Sequence, residues 1–401
     1  MTANPWWRIF LPFAAGYFLS YLLRNVNAVI APELTQSLGI SASALGLLTS
    51  AYLLAFGLFQ LPLGLLLDRY GPRRVESGLL LVAAAGCALF AHGQSLGDLV
   101  VARALIGLGV SACLMASFKV FSLTFPAERQ ASLNAAVMAA GGAGALTATT
   151  PLTLALPLLG WRGIFIALAV FCLLAALAIF TTPEKSKVST DEPLTAQLRG
   201  LVGILQSATF WRYAPQTTLV VGGFMAMQGL WAVPWLMQVN GLSRTAAAEH
   251  LLLAGVAMLS GFLLVALLVQ PLKRLGVMPS HLFLAGMISG VIINAGLILQ
   301  FLSPQIGWAL IGLVFSVGNL AYVLLQEHFP PDLSGRVNTA LNLCAFAGAF
   351  GVQWGFGAVI DLLMGMNLDR STAYRASFGV LVVLQVFSVY WYARKPTERR
   401  G

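Results

Sequence analysis

Arg24 is the residue whose type and position point most directly to chemistry. It lies about sixteen residues into an apolar run that covers residues 8–30. A guanidinium at such depth costs at least about 2.5 kcal/mol against lipid, so it normally faces a cavity or a partner. Its planar fork of donors suits carboxylate and phosphate groups. We therefore predict that Arg24 binds an anion; the alternative is a structural arginine near the outer interface, hydrogen-bonded to backbone carbonyls.

The polar neighbours of Arg24 recur at helical spacing. Tyr17, Ser20, Tyr21, Arg24 and Asn27 follow one face of a helix, because residues three and four apart lie one above the other. We expect this stripe to look into a central pathway. Tyr17, Tyr21 and Asn27 are therefore predicted, with Arg24, to contact a substrate.

Three later apolar runs carry comparable stripes of amide and aromatic side chains. Such groups can hold an organic ligand, whereas membrane aromatics often serve packing or form interfacial belts. Amides facing lipid are costly, so they are expected to face either the cavity or neighbouring helices. The predicted contacts are Gln228, Trp231 and Trp235, on one face with Gln238; Asn319 and Tyr322, with Gln326; and Asn338 and Asn342, with Gln353.

The composition is that of an integral membrane protein. The chain has 401 residues, of which 58% are hydrophobic and 9% charged, and its mean hydropathy is +0.84. A soluble domain is about 45–50% apolar. The apolar runs reach the roughly 20 residues that a helix needs to cross a bilayer and lack the alternation of barrel strands. The predicted class is an all-α polytopic membrane protein.

Twelve membrane spans are predicted from apolar runs bounded by Pro, Gly or charge. They divide six and six around a polar connection, which gives an N-terminal bundle at 1–182, a cytoplasmic linker at 183–210 and a C-terminal bundle at 211–401. The predicted spans are 8–30, 44–67, 75–95, 98–122, 131–156, 161–182, 212–238, 247–270, 279–302, 304–327, 335–362 and 372–394.

The basic residues predict the orientation of these spans. With both termini in the cytoplasm, sixteen Lys and Arg lie inside and four outside, namely Arg162, Arg244, Arg370 and Arg375. Cytoplasmic loops of membrane proteins are enriched in Lys and Arg. The net charge of +9 is therefore interpreted as an orientation signal, not as a sign of a nucleic-acid partner. A plasma (inner) membrane location with both ends inside is expected.

The two halves look duplicated. Residues 104–108 (Ala-Leu-Ile-Gly-Leu) recur at 309–313, and a Phe-Pro pair at 125–126 recurs at 329–330, each followed by Asn, at 134 and 338. The offsets are 205 and 204 residues. Two six-helix repeats with a binding site near the midplane are the organisation expected of a secondary transporter.

The short charged loop between the second and third spans resembles a known signature. Gly64-x-x-x-Asp68-Arg69-x-Gly71-x-Arg73-Arg74 is similar to the signature loop of the major facilitator superfamily. A degenerate copy without the Asp lies at 270–276, residues 103–109 resemble the second motif of that superfamily, and Pro183-Glu184 resembles its short motif after the sixth span. The resemblance covers nearly the whole chain and implies the fold of that superfamily.

The resemblance implies roles for the residues of the signature loop and for Arg103. Gly64, Asp68, Arg69, Gly71, Arg73 and Arg74 would form a cytoplasmic latch, since Asp68 at a helix end can meet a helix N-terminus or an arginine; the alternative is a loop that these charges merely anchor inside. Arg103 would take part in coupling or domain packing. Lys119 could reach the cavity or extend toward headgroups, and Glu327 is a less obvious coupling group. No carboxylate stands out at a midplane position.

The expected function is transport of a small organic anion by alternating access, by a chain that acts as a monomer. The alternative is an efflux pump for drug-like or metabolite compounds. No GxSxG, HExxH or phosphate-binding glycine loop is present, and the four His residues are widely separated, so neither an enzyme, a cofactor nor a metal is expected. Cys87, Cys113, Cys172 and Cys344 are expected to be small core residues.

Overall fold

The described part of the chain is a set of membrane-length helices. The computed structural model describes residues 5–183, 202–330 and 333–394. Within these ranges, eleven helices are long and apolar enough to cross a membrane, and the ordered elements are helical. The predicted all-α polytopic class is thereby confirmed. The predicted linker at 183–210 lies largely outside the described residues.

The predicted fifth span is among those that the structure divides differently. Where one helix was expected over 131–156, one helix ends at Thr147 and the next begins at Thr150. That second helix continues through Pro157 to Phe180, with non-helical φ and ψ of 63° and 167° at Gly160. The predicted boundary between the fifth and sixth spans is therefore a backbone break at Gly160 inside one helical run. A positive φ of this kind favours glycine.

The described residues before 184 form the helices of the first part of the chain. The helix that begins at Leu96 has a capping box. Ser95 Oγ accepts a hydrogen bond from the Asp98 N–H (3.1 Å), and the Asp98 carboxylate accepts one from the Ser95 N–H (3.0 Å). These helices are α1 (Pro5–Leu38), α2 (Ala42–Tyr70), α3 (Pro72–His92), α4 (Leu96–Gly109), α5 (Cys113–Thr124), α6 (Ala127–Thr147) and α7 (Thr150–Phe180).

The helices after residue 201 include one span with two π-helical turns, at Thr217–Val221 and Met227–Trp231. Asp369 caps the last helix of the described chain, which begins at Arg370. Hydrogen bonds from the Thr372 hydroxyl and N–H hold the pKa of the Asp369 carboxyl below its usual value. The helices are α8 (Ala208–Gln216), α9 (Gly222–Ala226), α10 (Ala232–Gln238), α11 (Arg244–Arg274), α12 (Pro279–Ile298), α13 (Pro304–Gly318), α14 (Leu320–Gln326), α15 (Ser334–Gly365) and α16 (Arg370–Ala393).

Two compact units result. The first comprises Met1–Ile40 and Leu47–Leu194, and the second Ser41–Gly46 and Thr195–Gly401. In the first unit α3 packs along α7 and α4, and α1 along α6 and α7. In the second, α11 packs along α13, and α12 along α13 and α16.

Residues 41–46 belong to the second unit because they contact α15. The Asp361 carboxylate accepts hydrogen bonds from the N–H groups of Ala42 (3.1 Å) and Ser43 (2.8 Å). An anion at the first N–H groups of a helix satisfies donors that have no intrahelical partner. Asp361 therefore acts as the cap for the first turn of α2.

Glycines set equivalent close contacts in the two units. Gly144 of α6 faces the Phe18 carbonyl of α1 so closely that a Cβ would overlap it, and Gly348 of α15 faces the Thr218 carbonyl in the same way. Gly107 of α4 and Gly312 of α13 meet backbone carbonyls of α2 and α11, again without room for a Cβ. The members of each glycine pair are 204 and 205 residues apart, from 144 to 348 and from 107 to 312. These contacts give the predicted repeat a structural counterpart.

Candidate functional site

Arg24 lies among aromatic side chains of the first unit. The α1 helix is continuous through it, so Tyr17, Tyr21 and Arg24 follow one another along the same face. The rings of Tyr17 and Tyr21 meet edge to face at 5.1 Å. The Arg24 guanidinium carbon lies 4.8 Å from the Tyr21 ring centre and 5.0 Å from that of Phe56 on α2. Cations are attracted to such ring faces, more strongly when water is excluded.

Tyr52 of α2 joins the half-buried Arg24 to the fully buried Arg103. Its hydroxyl donates to the Ser20 carbonyl at 3.1 Å and is a hydrogen-bond partner of the Arg24 guanidinium. Its ring lies under the Arg103 guanidinium, whose carbon is 4.8 Å from the ring centre. Arg103 is fully buried and donates from Nη1 to the Leu23 carbonyl at 2.9 Å.

Two positive side chains thus share one tyrosine inside an apolar bundle. For Arg103, the described neighbours are a carbonyl, the Tyr52 ring and the Cys87 thiol, and its Nε and Nη2 have no hydrogen-bond partner in the described chain. Such an arrangement favours an added negative charge, because the attraction between opposite charges grows as the surroundings become less polar. The cluster of Ser20, Tyr21, Arg24, Tyr52 and Arg103 is called the arginine cluster below.

Asn27 occupies a different environment from the one predicted. It is fully buried, and its Nδ2 donates to the Thr49 hydroxyl of α2 at 3.3 Å. That contact ties α1 to α2 one turn beyond Arg24. The structure therefore gives Asn27 an interhelical hydrogen bond, in addition to its predicted place on the polar stripe.

The predicted tryptophans lie in the core of the second unit. Trp231 and Trp235 are 1% and 0% exposed. The Trp231 ring stacks on Phe356 at 5.1 Å and its Nε1 donates to the Gln353 carbonyl at 2.9 Å, while Trp235 meets Phe378 edge to face at 4.9 Å. These contacts are those of packed core side chains. Gln228 is half-buried.

An interpretation of Gln228 as the counterpart of Arg24 in the second repeat differs from the match that the glycine contacts give. It assumed an offset of 204 residues, but the glycine contacts pair Phe18 with Thr218, an offset of 200. A π-turn holds one residue more than an α-turn, so the counterpart of Arg24 is Phe224 or Met225. Phe224 stacks on Phe315 at 4.0 Å. The repeat therefore carries a cation in its first copy and an apolar side chain in its second.

A small cavity of about 40 Å³ adjoins Phe224 in the second unit. Its polar wall is a buried amide pair, in which Asn294 Nδ2 donates to Gln385 Oε1 at 2.9 Å. Gln385 donates in turn to the Leu219 carbonyl at 3.2 Å. The remaining wall is mostly apolar, so this cavity offers no charge to an ion.

The other predicted contacts of the second unit lie on α13 to α15. The Tyr322 hydroxyl donates to Asn342 Oδ1 at 3.2 Å, which links α14 to α15. Asn319 is half-buried at the end of α13, and Asn338 Oδ1 is buried with no hydrogen-bond partner among the described residues. The structure thus joins two of these four residues by a direct bond.

The signature loop is fixed within the first unit by Arg73. Its Nη1 donates to the carbonyls of Phe180 and Thr182, each at 3.3 Å, so it holds the end of α7. Gly71 has a φ of 80° between α2 and α3, a conformation that favours glycine. Gly64 lies on α2, and Arg69 and Arg74 are exposed. The Asp68 side chain lies outside what the structure describes, and the latch remains a prediction.

The two remaining predicted coupling residues lie apart from the arginine cluster. Lys119 is half-buried on α5, and Glu327 is exposed at the end of α14. Within the described ranges, no group of three His, Cys, Asp or Glu side chains could hold a metal ion.

Sequence reasoning missed two residues that the structure places at notable positions. Tyr52 lies in the apolar second span, where its spacing of four from Phe56 is the one sequence signal of an aromatic face. Glu76 is the second residue of the predicted span 75–95, a position that predicts contact with headgroups. The structure begins α3 at Pro72 and buries Glu76 completely.

The family model that matches this chain is that of the Major Facilitator Superfamily, over residues 13–352. The hexuronate transporter of Escherichia coli (strain K12) is 28% identical over 225 residues, which is 52% of this chain and 52% of the relative. The probable sulfoacetate transporter of Cupriavidus necator is 30% identical over 182 residues, 44% of this chain and 42% of the relative. The chain spans about half the length of the curated relatives it matches.

Solved structures share the fold over nearly the whole chain. A bacterial homologue of the human lysosomal transporter Spinster, in an inward-facing and unoccupied conformation, has a TM-score of 0.77 at 16% identity, covering 98% of this chain and 97% of the other. The D-xylose–proton symporter has a TM-score of 0.74 at 18% identity, covering 98% of both chains. With the family model matching most of its length, this chain belongs to the Major Facilitator Superfamily.

Proposed function

We propose that this chain is a secondary transporter of a small organic anion, a carboxylate- or phosphate-bearing metabolite, that works by alternating access. The observation that carries the proposal is Arg24, a guanidinium held inside the first unit by Tyr21, Phe56 and Tyr52. A fork of donors in an apolar setting suits the paired oxygens of a carboxylate.

The relatives support an acidic cargo. Those matched include proteins named as transporters of hexuronate, sulfoacetate, galacturonate and tartrate. Each of these compounds carries a carboxylate. The 4-hydroxybenzoate transporter of Pseudomonas putida adds an aromatic carboxylate to the set. A carboxylate is the group that these cargoes share, and it is the group that a guanidinium binds in a bidentate manner.

The rest of the proposal concerns where and how the chain acts. The bias of Lys and Arg toward one set of loops supports a plasma (inner) membrane protein with both termini in the cytoplasm. The protein acts as a monomer, with the lipid bilayer and the substrate as its partners. Gly64 through Arg74 form the cytoplasmic latch.

The test uses labelled D-galacturonate and purified protein in proteoliposomes. Wild-type protein is expected to show counterflow of the label, and galacturonate to raise its unfolding temperature. Arg24→Ala removes a charged hydrogen-bond donor worth about 2 kcal/mol, so apparent affinity should fall roughly 30-fold. Arg24→Lys keeps the positive charge but not the planar fork of donors. Its apparent affinity should therefore lie between those of the wild type and Arg24→Ala.

The control is Arg370→Ala, which removes a positive charge from an exposed position at the start of α16. It should behave as the wild type. Equal affinity in the wild type and Arg24→Ala would refute the proposed role of Arg24. If a wider set of organic acids gave neither stabilisation nor counterflow, an anion transporter would be the wrong class.

A further inference from the structure

Glu76 is a carboxyl group that is buried in α3, with the weakly donating Cys113 thiol as its polar neighbour. Its exposed fraction is 0%, and neither Oε1 nor Oε2 has a hydrogen-bond partner in the described chain. It lies four residues beyond Pro72, where α3 begins. At 1.5 Å per residue, that places it roughly 6 Å along the helix from the signature loop.

Three helices close around this carboxyl. Gly16 of α1 lies so near that a Cβ would overlap Oε1, and the Ile179 side chain of α7 adjoins the same point. The Cys113 thiol at the start of α5 is the polar side chain beside it. Gly16 thus provides the space that Glu76 fills.

The ionisable groups around this position are two thiols and a phenol. They are Cys113 on α5, Cys172 on α7 and Tyr17 on α1, the last two interacting with Cys113. Two arginines of the same unit make other contacts. Arg73 on α3 donates to carbonyls at the end of α7, and Arg103 on α4 donates to the Leu23 carbonyl. No cation is among the groups that interact with Glu76 in the described ranges.

An ionised carboxylate in such a site is prohibitively costly. A carboxylate is solvated far better by water than by surroundings of low dielectric constant, so a buried carboxyl group without a cation beside it takes up a proton instead. We propose that Glu76 is a proton-binding site. The carboxyl group keeps its proton while Gly16 packs against it and excludes water, and it releases the proton to water when α1 moves away.

The link to transport runs through α1 and rests on the proposed function. Arg24 lies eight residues from Gly16 on the same continuous helix, roughly 12 Å along its axis. A shift of α1 that follows anion binding at Arg24 would also change the contact between Gly16 and Glu76, and with it the access of water to the carboxyl group. In the release step the O–H bond breaks, the proton passes to water, and the carboxylate remains. The anion and the proton are thereby coupled through one helix.

Proton binding itself is tested without a substrate, by infrared difference spectroscopy near neutral pH. The wild type minus Glu76→Gln spectrum should show the C=O stretch of a protonated carboxylic acid, shifted in deuterium oxide. The control, Glu249→Gln, removes an exposed carboxyl on α11 and should give the bands of an ionised carboxylate. Carboxylate bands in the Glu76→Gln difference would overturn the proposal.

Thermal unfolding gives a second readout. If Glu76 is protonated in the folded protein and ionised in the unfolded chain, unfolding releases a proton and stability falls as pH rises. The unfolding temperature of wild-type protein relative to Glu76→Gln should therefore decrease steadily toward alkaline pH. A difference that does not vary with pH would count against a bound proton. Glutamine has the size of the protonated acid, so the Glu76→Gln variant is expected to fold. If it does not fold, the loss of the C=O band of the wild-type protein at alkaline pH provides the same test.

The coupling is tested with labelled galacturonate under an imposed proton gradient. Glu76→Gln should retain counterflow and lose the several-fold change in uptake rate that the gradient produces in wild-type protein. Gradient dependence equal to that of the wild type would refute coupling at Glu76. Absence of counterflow in the wild type would instead count against galacturonate as the cargo and leave the spectroscopic result standing.

Discussion

Tyr52 contacts the two arginines of the first unit through different parts of its side chain. The ring supports Arg103, and the hydroxyl reaches both Arg24 and the Ser20 carbonyl. Tyr52 itself is fully buried, so its hydroxyl must find partners inside the bundle. The two functions can be separated, because phenylalanine keeps the ring and removes the hydroxyl.

Tyr52→Phe should weaken anion binding less than Arg24→Ala does. Loss of one buried hydrogen bond costs about 1 kcal/mol, equivalent to a roughly fivefold change in affinity if all of it appears in binding. The measurement is the concentration of galacturonate that half-saturates thermal stabilisation. Tyr70→Phe, at an exposed tyrosine, is the matched control. An effect of Tyr52→Phe as large as that of Arg24→Ala would indicate that Tyr52 itself binds the anion.

The sequence predicts the centre of the candidate site better than its surroundings. Arg24 stands out because a cation deep in an apolar run requires an explanation. Tyr52 and Glu76 do not stand out in the same way. A tyrosine is common in membrane helices, and a glutamate near a predicted boundary is easily assigned to the headgroups. Their importance depends on which helices pack around them, and local spacing does not contain that information.

At the level of the helix, regular periodicity fails for the span from Ala208 to Gln238. The prediction assumed 3.6 residues per turn, so it placed Gln228, Trp231 and Trp235 on one face. The π-turn at Met227–Trp231 shifts the residues after it relative to those before it. Trp231 and Trp235 both reach the aromatic core of the second unit, while Gln228 is half-buried.

The glycine contacts make a prediction for α15. Gly348 faces the Thr218 carbonyl without room for a Cβ, whereas nothing lies near a Cβ at Gly351. Gly348→Ala should lower the free energy of unfolding by about 1–3 kcal/mol, because the two helices must separate. Gly351→Ala should leave it unchanged or raise it by up to about 1 kcal/mol, since alanine favours the helix.

The measurement is the unfolding temperature of both variants in the same detergent. The pair is well matched because both changes add one methyl group to the same helix. A loss of stability in Gly351→Ala as large as that in Gly348→Ala would mean that helix packing does not discriminate the two positions. Gly144→Ala in α6 should reproduce the Gly348→Ala effect, because its contact with Phe18 is equivalent.

Most helices are close to their predicted bounds, and the exceptions have local causes. Apolar runs define spans well because a bilayer requires a minimum length of helix. The fifth span was placed less well, because Gly160 permits a break that continues into the next helix while α6 ends early at Thr147. Backbone breaks of this kind depend on single residues and do not alter average hydropathy.

At the level of the whole molecule, charge predicts the sidedness of the bundle. Arg69, Arg73 and Arg74 lie around the turn from α2 to α3, and Lys273 and Arg274 lie at the end of α11. These are the clusters expected on the cytoplasmic side. The turn from α3 to α4, one crossing later, contains no Lys or Arg between His92 and Leu96.

Reporter fusions test this orientation. Green fluorescent protein fused after Gly401 should fluoresce, and alkaline phosphatase fused after Gln94 should be active, because the enzyme needs the oxidising side of the membrane. Alkaline phosphatase fused after Pro72 should be inactive, since that position is predicted to lie inside. The reverse pattern would invert the orientation of the whole chain.

The two π-turns also affect how this protein can vary. Each holds one residue more than an α-turn, and the helix continues through both. Loss of a single codon within one of them would restore an α-turn and rotate the segment on one side by about 100° relative to the other. Trp231 and Trp235 could then leave Phe356 and Phe378 with no change in side-chain identity. Insertions and deletions, not only substitutions, are therefore a route by which this span can change the face it presents.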